Sequence, residues 1–183
     1  MTQPLPVDGG VRRARPSDAP AVGLVQAEVF RDAYADVLPA EVVATFEPQA
    51  FAATWRRSLE SPPAGVWTLL VATAGTQVAG TASVGPSQDP DADPLAAELH
   101  LLAVHPQARR MGHGSRLLNA AVDVLGEAGA TSLAAWVLTT QDELRAFLQA
   151  AGFAPDGAHR ERVVSPDGTT AREVRLVVAI EGR

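Results

Sequence analysis

The sequence contains no cysteine and no lysine. Without cysteine there are no disulfides, no thiolate metal ligands and no cysteine nucleophile, and we expect a reducing compartment, the cytoplasm. Without lysine, a phosphate-binding loop of the Gly-Lys-Ser/Thr type is excluded. The sequence also lacks an apolar run of the roughly 18 residues that a membrane span needs, and its N-terminus shows no basic segment followed by an apolar one. We therefore predict no membrane association, no export and no metal site.

The chain of 183 residues carries a formal net charge of −6. A nucleic-acid-binding domain needs a broad basic face, so this balance argues against nucleic acid as a partner. The length is that of one domain, able to bury roughly 70% of the surface that its unfolded chain exposes. Residues 1–9 are polar and rich in proline and glycine, which predicts a disordered tail before a domain over 10–183. The sequence leaves open whether the protein forms a homodimer.

Hydrophobic periodicity and turn residues predict a mixed α/β domain. A short strand precedes a helix that begins near Ser17 and Asp18, and a helical region follows over 39–60, broken near Pro48. After them come a hairpin ("VWTLLVA" and "VAGTASV"), the strand "ELHLLAV", the helix "GSRLLNAAVDVLGEAG", the strand "TSLAAWVL", the helix "QDELRAFLQAAG" and two final strands. This order predicts a mixed central sheet flanked by helices.

The segment "ELHLLAVHPQARRMGHGSR" has an unusual charge pattern. Between Leu99 and Val122 the chain places three arginines, three of its four histidines and no acid. A strand that runs into a glycine-rich turn and then a helix gathers unpaired backbone N–H groups at the positive helix end, which favours an anion. Gly112 and Gly114 leave room for its approach. A dinucleotide-binding fingerprint is excluded because Leu117 stands where a third glycine is needed.

These residues resemble motif A of the GCN5-related N-acetyltransferases (the GNAT superfamily), which reads Arg/Gln-x-x-Gly-x-Gly/Ala after a strand that ends in Val-x-Pro. Arg109, Gly112 and Gly114 fit the motif, with Val104 and Pro106 before them. The segment "WVLTTQDELRAFLQAAGF" matches the frame of a later family motif, and the resemblance extends from about residue 12 to residue 164. It implies a single-domain GNAT acyltransferase fold and an N-acetyltransferase with acetyl-CoA as co-substrate.

The resemblance also implies how CoA is held. The backbone of Leu102, Ala103 and Val104 would pair with the pantetheine arm like an added strand. Arg109 and Arg110 would add charge-assisted contacts to phosphate. The pyrophosphate would bind the backbone amides of Arg110, Met111, Gly112, His113, Gly114 and Ser115. Gln141 takes the place of the family's usual asparagine in the later motif. We expect the side chains of His105 and His113 to lie at the surface or on the phosphate side.

Glu98 and His100 are the candidate catalytic residues. Strand alternation places Glu98, His100 and Leu102 on one face, and Leu99, Leu101 and Ala103 on the other. In the family, Glu98 matches the catalytic glutamate of the histone acetyltransferases, and His100 matches a histidine implicated in proton removal in the arylalkylamine N-acetyltransferases. Histidine accepts a proton near neutral pH without tuning, whereas a glutamate base would need a raised pKa. The alternative is a structural pair of side chains.

Two departures from the family leave several functions open. The tyrosine often proposed as the acid for the leaving thiolate is replaced by Leu148, and the asparagine by Gln141. The first hypothesis is acetyl transfer from acetyl-CoA to an amine of a small molecule, by direct attack in a ternary complex. The second is an acyl-CoA-binding sensor or regulatory module with little or no turnover. A third is an acetyltransferase directed at protein N-termini or lysines.

The acceptor would bind near the first two helices and the loop over 85–97. Two sets of side chains there are candidates for an acceptor pocket. One set is aromatic, although aromatic residues at this density more often form a core. The other set is acidic and suits a cationic amine, although such aspartates more often belong to a solvated loop. They are Phe30, Tyr34, Phe46, Phe51, Trp55 and Trp67, and Asp32, Asp36 and the aspartates of the 89–93 cluster.

Overall fold

The computed structural model describes residues 9–181, so the predicted tail lies outside the described residues except for Gly9. The strands and helices are β1 (Val11–Arg13), α1 (Ala19–Ala33), α2 (Ala40–Val43), α3 (Pro48–Glu60), β2 (Thr68–Ala74), β3 (Gln77–Pro86), β4 (Ala96–Val104), α4 (His113–Glu127), β5 (Ser132–Leu138), α5 (Asp142–Ala150), β6 (Ala154–Val163) and β7 (Thr170–Ala179). Their order confirms the predicted succession, with the broken helical region resolved into α2 and α3. Within residues 9–181 no helix has the length and apolar character needed to cross a membrane.

The seven strands form one mixed sheet in the order β1-β2-β3-β4-β5-β7-β6. Helices cover both faces. On one face, Leu117 and Leu125 of α4 and Leu148 of α5 pack into the main core with β2, β3, β4 and β5. On the other face, Val22 and Val25 of α1 pack against apolar side chains of β2 and β4. The predicted mixed sheet flanked by helices is confirmed.

Strands β4 and β5 separate along their length, which positions the candidate site. In the described structure they pair in parallel only where Ala96–Glu98 of β4 lie opposite Ser132–Ala134 of β5. Strand β4 stays paired with β3 up to Val104, and β5 stays paired with β7 up to Leu138. The edges of β4 and β5 that face each other beyond Glu98 therefore carry backbone groups without a strand partner, which is what an extended ligand needs to bind like a strand.

A β-bulge at His100 changes the direction of the side chains on β4. Leu99 pairs with Val84 and Leu101 with Ser83, so His100 has no residue opposite it on β3. A bulge inserts one residue and re-aims the side chains that follow. Leu99 and Leu102 therefore both pack in the main core. Leu101 and Ala103 pack on the α1 face. The predicted strict alternation is wrong beyond His100, because it assumed an unbroken ladder.

Helices α1 and α3 approach closely at Gly23, and we predict that Gly23→Ala destabilises the protein. A Cβ there would lie 2.4 Å from the carbonyl oxygen of Pro48 and 2.6 Å from the amide nitrogen of Ala52, which are backbone atoms that cannot rotate away. Overpacking of this kind costs about 1–3 kcal/mol. The control is Gly126→Ala in α4, where the nearest atom is a side-chain carbon of Ile180 at 3.4 Å. Thermal unfolding should show a Tm below that of wild type for G23A but not for G126A. Equal Tm values for wild type and G23A would contradict this packing.

Candidate active site

Glu98 and His100 form a pair on the α1 face of β4. The Nδ1 atom of His100 lies 3.4 Å from Oε1 of Glu98, and the Glu98 side chain is almost fully buried. The other carboxylate oxygen, Oε2, accepts a hydrogen bond of 3.1 Å from the backbone N–H of Gln88. The structure thus brings the two predicted catalytic side chains together, and the carboxylate orients the imidazole ring.

The environment of Glu98 favours its ionised form. Burial raises the pKa of this carboxyl, but the hydrogen bonds from His100 and from Gln88, together with the charges of His100 and Arg160, outweigh burial and lower the pKa below its ordinary value. A glutamate base would need the opposite shift. Glu98 is therefore a hydrogen-bond acceptor that stays charged at neutral pH, and this favours His100 over Glu98 as the group that takes up a proton.

The ring of His100 is held on a second side by Trp67. The two rings stack with centroids 4.9 Å apart and an angle of 27° between their planes. An Nδ1–H that donates to Glu98 leaves Nε2 as the acceptor nitrogen. Nε2 is buried and has no hydrogen-bond partner in the described structure. A buried acceptor without a partner is rare in folded proteins and points to a group that binds there.

The loop between β3 and β4 is fixed by Asp89, a role that the sequence did not predict. The Asp89 carboxylate accepts hydrogen bonds from Nε1 of Trp136 at 3.1 and 3.2 Å and from Arg175 at 2.9 Å. Arg160 lies over the Trp136 ring, with its guanidinium carbon 4.2 Å from the ring centroid. Asp89 was predicted as one of a cluster that could attract an amine. Its hydrogen bonds instead anchor the loop that contains Gln88, whose backbone N–H donates to Glu98.

The turn before α4 has the backbone that the glycine motif predicted. Arg110 and Gly112 have positive φ angles of 61° and 80°, and α4 begins at His113. Among the described residues, none of the six backbone amides from Arg110 to Ser115 donates a backbone hydrogen bond, and the last three belong to the first turn of α4, whose amides have no partner within the helix. No atom lies within 4 Å of a Cβ built on Gly112. The turn thus leaves open space beside a set of free N–H groups, which suits an anion.

His113 differs from the prediction. Its side chain is buried, 3% exposed, and lies neither at the surface nor in the open space beside Gly112. Nδ1 of His113 lies 3.0 Å from the Arg116 guanidinium, which also donates to the carbonyl oxygen of Met111. Burial, and then the charge of Arg116, lower the pKa of His113. The helical position turned this ring inward, so only the His113 backbone amide remains a candidate for phosphate. His105, as predicted, is not buried, and its ring accepts a hydrogen bond from the Gln107 amide.

Arg109 is paired with an acid from another element. Its guanidinium lies 3.2 Å from Oδ2 of Asp32 near the end of α1. Because the motif contains no acid, its residues did not predict this contact. Arg110 and Met111 are exposed. The predicted phosphate contacts of Arg109 therefore compete with Asp32.

We predict that Asp32→Asn strengthens CoA binding by up to about fivefold, because an exposed ion pair contributes about 0–1 kcal/mol and its loss frees Arg109. The effect should shrink at high salt, which screens exposed charges. Calorimetric titration with CoA at low and high salt measures both. The control is Glu28→Gln, one turn earlier on α1, whose partner is Arg31. Equal affinity of D32N and wild type at low salt would show that Asp32 does not compete.

The later motif lies beside the start of α4. Gln141 precedes α5 and follows the end of β5, and parallel strands β4 and β5 end at the same edge of the sheet. A ring carbon of Phe147 lies 3.4 Å from a Cβ built on Gly114. Leu148 is 1% exposed in the main core. Gln141 stays a candidate because it follows the end of β5, at the edge of the sheet where β4 also ends, whereas Leu148 offers no hydroxyl group in place of the missing tyrosine.

Comparison with known proteins identifies the family. The sequence profile of the Acetyltransferase (GNAT) family matches residues 28–153, more than two thirds of the chain. No curated protein sequence gives a significant match.

Solved structures share the fold. An N-acetyltransferase from Staphylococcus aureus has a TM-score of 0.70 and 17% identity, covering 95% of this chain and 99% of that one. A ribosomal-protein-alanine N-acetyltransferase from Brucella melitensis has a TM-score of 0.69 and 21% identity, covering 92% and 98%. The PaiA N-acetyltransferase from Thermoplasma acidophilum, solved in complex with coenzyme A, has a TM-score of 0.67 and 16% identity, covering 91% and 98%. Together with the profile match, these show that the chain belongs to the GNAT acetyltransferase family, whose co-substrate is acetyl-CoA.

Proposed function

We propose that this protein transfers the acetyl group of acetyl-CoA to a primary amine of a small molecule, by direct attack in a ternary complex, with His100 as the proton acceptor. The observation that carries the proposal is the Glu98–His100 pair beside the opening between β4 and β5, with a buried Nε2 that has no partner. Most buried polar atoms of a purely structural pair have hydrogen-bond partners, whereas Nε2 of His100 has none among the described residues.

The described residues fit CoA at two places. The open space beside Gly112, with the amides of Arg110–Ser115 and the guanidinium groups of Arg109 and Arg110, suits the pyrophosphate. The unpaired edge of β4 over Leu102, Ala103 and Val104 suits the pantetheine arm. Gln141 is a further candidate at the same edge of the sheet. Bound acetyl-CoA supplies a thioester whose acyl carbon the amine attacks.

His100 would remove the proton that blocks attack. An alkylamine with a pKa near 10 is only about 0.1% neutral at pH 7, a deficit of about 4 kcal/mol. An N–H proton of the amine passes to Nε2 of His100, the new N–C bond forms, and the C–S bond breaks. The Glu98 carboxylate, kept ionised by its hydrogen bonds, stabilises the imidazolium that results. Burial of the pair strengthens this electrostatic contribution.

The leaving thiolate needs no dedicated acid in this scheme. Leu148 stands in the core at the position of the family's tyrosine. A thiol has an ordinary pKa of about 8.5, so its thiolate is a tolerable leaving group near neutral pH. The same substitution is the feature that favours the alternative, an acyl-CoA-binding regulatory module without turnover.

Two measurements on the purified protein decide between these functions. Calorimetric titration with CoA tests the co-substrate site, and a thiol-release assay with acetyl-CoA and a broad panel of small amines tests transfer. The proposal expects CoA binding and thiol release that depends on the amine, with the acetylated amine detected by mass spectrometry. CoA binding without amine-dependent thiol release would refute the enzyme and favour the regulatory module.

A further inference from the structure

We propose that Trp67 and Gly85 are positioning residues for the reaction. The indole of Trp67 extends from the start of β2 across β3, over Gly85, and sets the orientation of the His100 ring on β4. The inference rests on the proposed function, because it takes His100 as the proton acceptor of that reaction. It goes beyond it by naming the residues that fix the direction of the His100 Nε2 atom.

The strand that carries His100 does not by itself fix the ring. Side chains in a regular antiparallel sheet are supported by the residue directly opposite them, but the bulge leaves His100 without a residue opposite it on β3. The contact with Glu98 holds the Nδ1 atom alone. A ring held at one nitrogen can still swing about that contact, so a second contact is needed to fix where Nε2 points.

Trp67 supplies this second contact from two strands away. The register of β2 against β3, continued by one residue, places Trp67 beside Gly85, and Gly85 pairs with Glu98 on β4. The indole crosses β3 at this point and stacks on the His100 ring, with 4.9 Å between the centroids and 27° between the planes. Aromatic rings attract each other at centroid separations of roughly 4.5–7 Å. His100 is thus held by Glu98 at one nitrogen and by Trp67 on one ring face.

Gly85 provides the space in which the indole lies. A Cβ built on Gly85 would be 2.4 Å from Cε3, 2.7 Å from Cζ3 and 2.8 Å from Cδ2 of Trp67. Glycine within a strand weakens it and often marks a close approach of another group. Gly85 is not among the glycines with a positive φ angle. The strand therefore needs glycine here for space rather than for backbone conformation.

The other end of the indole is tied to the loop before β2. Nε1–H of Trp67 donates a 3.1 Å hydrogen bond to the carbonyl oxygen of Ala64, and the Trp67 backbone N–H donates one of 3.1 Å to the carbonyl oxygen of Gly65. Because the indole is rigid and fixed at both ends, a larger residue at 85 must change its position against His100. A displacement of about 1 Å in a reacting group can lower the rate by about 100-fold.

Three variants test this arrangement. Trp67→Leu removes the ring that stacks on His100, Trp67→Phe keeps an aromatic face, and Gly85→Ala keeps the indole but forces it to move. The control is Gly10→Ala, the same change at a position where a Cβ meets no atom within 4 Å.

The first readout is geometric and needs no turnover. It is the proton chemical shifts of the His100 ring in NMR spectra, assigned by their absence in H100A, since the ring current of a stacked indole shifts protons over its face upfield. The second readout is kcat/KM for the amine that wild type acetylates best, and the third is CoA affinity by calorimetric titration.

We expect the upfield shift in wild type and in G10A, a smaller shift in W67F, and its loss in W67L and G85A. The value of kcat/KM should fall by about 10- to 100-fold in W67L and G85A and by less in W67F. CoA affinity should stay at the wild-type value in all of them, because Trp67 and Gly85 are not among the predicted CoA contacts. Recovery of activity by the phenyl ring of W67F distinguishes positioning from a general loss of stability.

Two results would overturn this inference and leave the proposed function standing. One is absence of the upfield shift from active wild type. The other is wild-type kcat/KM in W67L, whether or not G85A folds. No thiol release by wild type with any amine would refute the proposed function and this inference with it.

Discussion

Replacing His100 by alanine is expected to lower kcat/KM for the amine by about 100- to 10,000-fold, the usual contribution of a positioned general base. The affinity for CoA should not change, because His100 lies on the α1 face of β4 and the predicted CoA contacts use the β4 backbone edge and the turn before α4. Steady-state thiol release and calorimetric titration with CoA measure the two quantities.

Two further variants show whether the lower kcat/KM of H100A is due to lost proton transfer. Glu98→Gln keeps a side chain of the same shape but removes the charge that stabilises the imidazolium, so we expect a smaller loss than for His100→Ala. His159→Ala removes an exposed histidine of β6 and should leave activity unchanged. Wild-type activity in H100A, or a parallel loss of CoA affinity, would show that His100 is not the proton acceptor.

Gly112→Asp is expected to weaken CoA binding by about 100-fold, with the fold kept at a small cost in stability from the positive φ angle. Asp tolerates the positive φ of 80° at this position. A negative charge at the start of α4 also complements the helix dipole. The same charge would stand in the open space assigned to the pyrophosphate. Two like charges about 5 Å apart repel by about 3 kcal/mol at an effective dielectric constant of about 20, a factor of about 100 in affinity.

The matched control is Gly112→Asn, which has the same size and the same tolerance of positive φ but no charge. It should weaken CoA binding much less than G112D. Thermal unfolding of both variants checks that the helix start is preserved. Equal CoA affinities of G112D and G112N would mean that the phosphates do not bind beside residue 112, whatever the affinity of the wild type.

Local sequence signals predicted the parts of the site that depend on neighbours along the chain. The spacing of Arg109, Gly112 and Gly114 after a strand located the turn before α4, because positive φ angles and free amides are properties of a few consecutive residues. Glu98 and His100, two residues apart on a predicted strand, were correctly expected on one face. The family resemblance supplied the expected CoA contacts, and the profile match confirmed the family.

The remaining features depend on tertiary contacts that no local pattern encodes. The bulge at His100 arises from the register between β3 and β4, which the sequence of β4 alone does not show. The predicted alternation of side chains therefore placed Leu102 on the wrong face. Asp32 pairs with Arg109, which lies 77 residues away in the sequence, and Asp89 pairs with Arg175, which lies 86 residues away. The sequence favoured a core over an acceptor pocket for the aromatic residues of the first helices. In the structure, Trp55 packs in the core clusters and donates to Gln26, whereas Phe46 and Phe51 line a cavity between α1, the α2–α3 segment and the end of β6.

The most direct test of the proton acceptor is rescue of His100→Ala by free imidazole in the thiol-release assay. The variant leaves a ring-sized gap between Trp67 and Glu98, whose stacking and hydrogen-bonding groups are already in place. We predict that imidazole restores amine-dependent thiol release in H100A in a saturable manner and has no such effect on wild type. Failure of imidazole to raise the rate in H100A, in a protein that still binds CoA with wild-type affinity, would contradict the assignment of His100 as the base.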